Sequence, residues 1–325
     1  MRVRKPSPDL LGRSLRCSSL LSPSPPLRSA TTNPSLIYKA AQMPEYKSFL
    51  DDAVEYAKSN SGGDEALETE LCLDKLAVNF GVEILKHVEG VVSTEVDARL
   101  SFDIDGNVSR ARRIIGLYES AGVDKSRVLI KLASTWEGLQ AARVLQAEGI
   151  RCNMTLMFSM CQAAVAAEVG AFLVSPFVGR IRDWYLANGD WTDDRPAEED
   201  PGVVSVRRIW SYYKKNGFDT IVMGASFRNS GEIKALAGCD RLTISPGLLE
   251  EMAGESGADL PRPLDASDAS FIETNAPEGG KIELDEKSFR WELNEDAMAT
   301  EKLAEGIRKF TADLVKLEKF IKDSI

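Results

Sequence analysis

The chain has 325 residues, 43% of them hydrophobic and 28% charged, with a formal net charge of −10. That length suits one α/β barrel of roughly 250 residues plus insertions, and no stretch reaches the roughly 20 consecutive apolar residues that a membrane-spanning helix needs. An acidic body argues against nucleic-acid binding, and five scattered cysteines (Cys17, Cys72, Cys152, Cys161, Cys239) without a C-x-x-C pair argue against a zinc site or a disulfide framework.

Residues 1–29 are rich in Ser, Pro, Arg and Leu and hold six Lys/Arg against Asp9 alone. They read as an atypical N-terminal segment, either a transit-type leader or a disordered tail. A plastid location follows from the first and a cytoplasmic one from the second. From residue 30 to 325 the text becomes one alternating pattern. Segment 30–37 (ATTNPSLI) reads as a weak strand. After Pro44, Phe49, Leu50, Ala53, Val54 and Ala57 mark one helical face, and Leu73, Leu76, Ala77, Phe80 and Ile84 mark the next. His87, the single histidine, follows as a helix-end residue, which pushes acid–base chemistry toward lysine and carboxylates.

Short apolar runs then recur at 91–97 (VVSTEVD), 127–133 (RVLIKLA), 152–158 (CNMTLMF), 171–178 (AFLVSPFV), 220–226 (TIVMGAS) and 241–246 (RLTISP). Nearly continuous hydrophobicity over four to eight residues fits parallel strands covered on both faces. Strands alternating with helices in such number predict an α/β fold of the (β/α)8 TIM-barrel class, of which seven strands can be placed. No G-x-G-x-x-G follows a strand, so a dinucleotide-binding sheet is disfavoured. Segment 255–290, with its Gly, Pro and Asp clusters, reads as a long surface loop. At the end Leu303, Ile307, Phe310, Leu314, Leu317 and Ile321 form a narrow helical stripe. Docking on the barrel is the preferred reading, with a coiled-coil homodimer as the alternative.

Catalytic groups in such barrels sit at the C-terminal ends of strands. Lys131 lies between Ile130 and Leu132, where an ammonium is costly and the pKa should fall, making a nucleophile toward ketones. Glu95 and Asp97 share one face of the preceding strand, and Asn153 and Thr155 one face of the next. A lysine beside a carboxylate and a hydroxyl is what carbinolamine formation and dehydration require. Ser175 and Arg180 close one later strand and Ser226 and Arg228 another; arginine forks beside hydroxyls suit a phosphate dianion. Each residue alone could be a satisfied polar core group or a surface ion pair.

The strings ATTNPSLI, STEVDARLSFD, VLIKLASTWEGLQAA, GIRCNMTLMFS, SPFVGRIRDWY, DPGVVSV, VMGASFRNSGEI and AGCDRLTISP together resemble the transaldolase family, in the longer subgroup ending in LAEGIRKF. The resemblance runs from about Ala30 to the C-terminus. It implies an enzyme of the non-oxidative pentose phosphate pathway, without metal or organic cofactor, that acts on ketose and aldose phosphates. Such an enzyme moves dihydroxyacetone from sedoheptulose 7-phosphate to glyceraldehyde 3-phosphate, leaving erythrose 4-phosphate and fructose 6-phosphate. In that pattern Lys131 is the Schiff-base nucleophile and Glu95 and Thr155 position the catalytic water. Asn33 and Asn153 bind donor hydroxyls, Ser175 sits beside the dihydroxyacetone unit, and Arg180, Ser226 and Arg228 hold the phosphate. Phe177 and Trp136 are walls.

The family's first strand ends in an acid/base aspartate about eighteen residues before the asparagine of TTNPSL. Here that count from Asn33 reaches Leu15, and Asp9 matches neither spacing nor surroundings. Residues 1–29 therefore replace the first strand, through an alternative or wrongly assigned start exon or in a degraded enzyme.

Overall fold

The computed structural model describes residues 29–189, 191–192, 194–254 and 261–324. Seven parallel strands form one curled sheet in sequence order: β1 (Ser29–Thr31), β2 (Val91–Glu95), β3 (Val128–Ala133), β4 (Cys152–Met157), β5 (Leu173–Pro176), β6 (Ile221–Gly224) and β7 (Arg241–Leu242). Adjacent strands that are consecutive and parallel need a crossover, and helices supply it. These are α1 (Pro34–Ala41), α2 (Lys47–Asn60) and α3 (Glu65–Leu85) after β1, and α4 (Ile104–Ser120) after β2. Next come α5 (Trp136–Ala147), α6 (Met160–Glu168), α7 (Val178–Asn188), α8 (Pro201–Asn216), α9 (Ser230–Ala235) and α10 (Pro246–Ala253). The chain ends in α11 (Ala269–Asn275), α12 (Glu286–Glu295) and α13 (Ala297–Ser324). No helix among the described residues is long and apolar enough to cross a membrane.

The hydrophobic runs are continuous because both sheet faces are covered. Outward-facing Val92, Ile130, Leu132, Met154, Val174 and Val222 join the core shared with the helices. Inward-facing Val91, Leu129, Leu173 and Met223 close the base of the ring. Above that base the inward positions turn polar, and the site begins there. Among the described residues β1 pairs with β2 alone and β7 with β6 alone, so the ring is open between β1 and β7. The expected replacement of a first strand falls on residues 1–28, outside the described residues; Ser29 already pairs with Val91.

Several sequence expectations need correction. Segment 30–37 is a strand only through Thr31, because Asn33 caps α1 and Pro34 opens it, a position where a missing N–H costs nothing. The 241–246 run pairs over two residues before Ser245 caps α10. Segment 255–290 contains α11 and the start of α12, each begun by an aspartate cap, Asp268 and Asp285, that composition alone disguised as loop chemistry. His87 lies past the end of α3 with its Nε2 3.6 Å from Glu83. The thiols of Cys72, Cys152, Cys161 and Cys239 are free and buried or half-buried; Cys17 lies outside the described residues.

The stripe on α13 is spent inside the chain. Leu303, Ile307 and Phe310 pack with Phe158 and Phe177 over the strand ends. Leu314, Leu317 and Ile321 pack with α1, α2 and α3 through Ile37, Leu50 and Leu76. All six are under a tenth exposed, and burying each stabilises the docked helix by about 1.5–3 kcal/mol.

Candidate active site

Glu95 and Lys131 are register partners on β2 and β3, so their side chains meet on the inner face. Lys131 Nζ donates to Glu95 Oε2 at 2.8 Å, with each side chain only 7% exposed. The sequence argument for burial named the wrong neighbours. Ile130 and Leu132 point to the opposite face, toward the helices. What covers the amine instead is Phe310 of α13, whose ring centroid lies 5.5 Å from Nζ. Burial pushes the Glu95 carboxyl above its usual range, with Lys131 and then Arg180 pulling the other way.

Asn153 faces Lys131 across the β3–β4 ladder. Its Nδ2 reaches past that strand to donate to Ser93 Oγ at 3.1 Å, and its Oδ1 accepts from Ser175 Oγ at 2.7 Å. A hydrogen-bonded polar layer thus spans β2, β4 and β5 at the level of the lysine. Thr155, two residues on, is fully buried on the same face, and among the described residues its Oγ1 has no hydrogen-bond partner. An unsatisfied buried hydroxyl costs about 1–3 kcal/mol and calls for a reason. Just beyond it Leu156 takes φ 54°, rare for a branched residue. Gln162 holds this turn: its Nε2 donates to Ser134 O at 2.9 Å and Leu156 O at 3.2 Å, while its Oε1 accepts from Phe158 N at 2.8 Å.

The guanidinium of Arg180 lies between two rings, 5.0 Å from the centroid of Phe177 and 5.5 Å from that of Phe310. Its Nη1 is buried without a hydrogen-bond partner among the described residues, and burial together with nearby Arg228 holds the guanidinium below the usual arginine range. Arg228 pairs with Asp183 at 2.6 Å and donates through Nη1 to Ser226 O at 3.0 Å and Ser226 Oγ at 3.3 Å. Ser226 itself has φ 62°, a strained conformation at the end of β6. Gly179 makes the approach possible, since a Cβ there would lie 2.5 Å from Arg228 Cγ and 2.6 Å from Ser226 O. Asn33 uses its Oδ1 to cap α1 at Leu36 N, 2.9 Å away. A cavity of about 1150 Å3 joins Asn33, Lys131, Ser175, Phe177, Arg180 and Ser226 and extends into the opening between β1 and β7.

The ten candidate residues lie on inner strand faces, from Asn153 at the second position of β4 and Lys131 inside β3 to Glu95 at the end of β2, or in the segments that follow the strands. Asp97 does not join them: it caps the turn after β2 and ion-pairs with Arg99 at 2.6 Å. Trp136 packs against Phe289, centroids 5.5 Å apart. Three residues escaped the sequence reading. Ser93 was legible, being two positions before Glu95 on one strand. Phe310 was read as stripe and not as roof, and Gln162 was marked only by the S-x-x-Q capping box that Ser159 opens.

A ring of parallel strands whose inner face carries a buried lysine–carboxylate pair, beneath a half-sandwiched arginine, defines an enzyme of the (β/α)-barrel class. The profile of the Transaldolase/Fructose-6-phosphate aldolase family matches residues 15–321. The transaldolase of Cellvibrio japonicus (strain Ueda107) is 58% identical over 298 residues, covering 90% of this chain and 89% of that protein. The transaldolase of Methylobacillus flagellatus is 57% identical over 296 residues, covering 91% and 90%, and that of Shewanella amazonensis 58% over 295 residues, covering 90% and 89%. The chain belongs to the transaldolase/fructose-6-phosphate aldolase family, and with these relatives it is a transferase.

Proposed function

We propose that the chain transfers dihydroxyacetone from sedoheptulose 7-phosphate to glyceraldehyde 3-phosphate through a Schiff base on Lys131. The observation that carries this reading is the buried Lys131–Glu95 contact at 2.8 Å with the partnerless Thr155 hydroxyl on the neighbouring strand. Glu95 accepts a proton from the lysine, freeing the amine to add to the donor ketone. Its burial favours the protonated carboxyl, which then serves as the acid for loss of water from the carbinolamine. The Thr155 hydroxyl, without a partner among the described residues, holds that water. The resulting iminium accepts the electron pair when the C3–C4 bond of the ketose breaks, and the resulting enamine carbon attacks the acceptor aldehyde. Asn153 and Ser175 bind the fragment's hydroxyls. Arg180, with an unspent donor, holds the phosphate with Ser226 and Arg228, which Asp183 must share.

Carbon–carbon cleavage also needs a base at the C4 hydroxyl. Among the described residues Glu95 is the carboxylate in contact with Lys131, and the count back from Asn33 reaches Leu15 where the resemblance expects an aspartate. A second reading follows: a sugar-phosphate-binding relative that condenses with ketoses but cleaves them slowly. Borohydride reduction with fructose 6-phosphate separates the two. A trapped adduct together with sedoheptulose 7-phosphate made only when erythrose 4-phosphate is added supports transfer; an adduct without that product supports binding. No adduct in folded protein contradicts both.

A further inference from the structure

Phe310 has no assigned role, yet it touches both functional cations. Its ring lies 5.5 Å from Lys131 Nζ and 5.5 Å from the Arg180 guanidinium, inside the range of cation–π attraction, and the residue is 4% exposed. The helix that carries it is built to come this close. Gly306, one turn earlier on the same face, has no room for a side chain: a Cβ would lie 2.6 Å from Leu156 Cδ2 and 3.2 Å from Arg180 Nη1. The helix is also pinned along its length. Trp184 Nε1 donates to Glu301 at 2.6 Å, Ser35 donates to Asp313, and Arg99 pairs with Glu318 at 2.6 Å. Phe310 is thus a fixed roof, tied to α7, α1 and the turn after β2.

Resting on the Schiff-base reading above, we propose that Phe310 is a specificity-determining residue that decides whether the lysine-bound three-carbon fragment goes to an aldehyde or to water. After cleavage the fragment is an enamine on Lys131 Nζ. In transfer its nucleophilic carbon forms a bond to the acceptor's carbonyl carbon, and the carbonyl oxygen takes a proton. In the competing path that carbon takes a proton from a general acid and becomes an iminium. Water then adds its oxygen to the C=N carbon and loses a proton. The C–N bond breaks with its electrons returning to nitrogen, and free dihydroxyacetone leaves. The ring blocks water from the face of the imine it covers, and its negative π-face stabilises the iminium while that cation persists. The acceptor brings its own phosphate to Arg180, which the same ring helps to hold, and so it still enters.

The test compares Phe310→Ala and Phe310→Leu with the parent chain, measuring free dihydroxyacetone against transferred product at fixed fructose 6-phosphate and erythrose 4-phosphate, with borohydride adducts scored in parallel. Phe310→Leu keeps most of the apolar volume and carries the test if the alanine variant does not fold. The fraction released as free dihydroxyacetone is expected to rise on the order of tenfold in Phe310→Ala and several-fold in Phe310→Leu, with an adduct still formed. An unchanged fraction in a folded variant that forms the adduct overturns this inference alone. No adduct in the parent chain overturns the Schiff-base reading and this inference with it.

Discussion

Removing either partner of the buried Lys131–Glu95 pair should destabilise the protein, and the loss of the lysine should cost more as pH rises. Both side chains are 7% exposed and 2.8 Å apart, and stripping a buried ion of its partner costs about 3–5 kcal/mol, against a total stability of about 5–15 kcal/mol. Glu95→Gln leaves the lysine facing a neutral amide and removes the carboxyl that titrates. Lys131→Met leaves Glu95, whose carboxyl burial already pushes above 4.5 and which loses the lowering effect of the lysine. A buried acid with a raised pKa binds its proton more tightly folded than unfolded. Its contribution is therefore intact below about 4.5 and is lost as pH rises toward the folded value, at about 1.4 kcal/mol per pH unit in that window. Urea unfolding of the parent and both variants at pH 5 and pH 8 measures this. A Lys131→Met deficit that stays level or shrinks from pH 5 to pH 8 would refute the assignment of Glu95 as a buried, proton-accepting partner.

Thr155→Val removes a buried hydroxyl that bonds to none of the described residues, so thermal stability should be unchanged or raised by up to about 1 kcal/mol. Turnover should nonetheless fall on the order of a hundredfold if the hydroxyl holds the water of dehydration; a destabilised variant with full turnover would contradict this. Gly179→Ala drives a methyl to within 2.5 Å of Arg228 Cγ and 2.6 Å of the Ser226 backbone oxygen, which should cost about 1–3 kcal/mol. KM for phosphorylated donors should rise more than kcat falls, and an unchanged KM would show that Ser226 and Arg228 do not hold the phosphate.

The sequence made the inner-face chemistry legible because a strand has period two. Spacing alone put Asn153 and Thr155 on one face and Glu95 on one face of its strand, and the register brings Glu95 and Asn153 to either side of Lys131. What spacing could not show is anything contributed from far along the chain. Phe310 lies in a helical stripe that looks like any amphipathic helix, and only the docked helix places it over Lys131. The boundaries failed where capping chemistry outweighed hydrophobicity. Asn33 caps a helix where the apolar residues after it read as more strand, and Asp268 and Asp285 began helices inside what composition read as loop. Reading the charge penalty at Lys131 from Ile130 and Leu132 reached burial by the wrong face.

Exchange of labelled dihydroxyacetone units between fructose 6-phosphate and erythrose 4-phosphate, followed in folded Lys131→Met beside the parent chain, tests the amine's role most directly. The account predicts label movement in the parent and none above background in the variant. Label moving at the parent's rate in a variant that unfolds cooperatively in urea would contradict it.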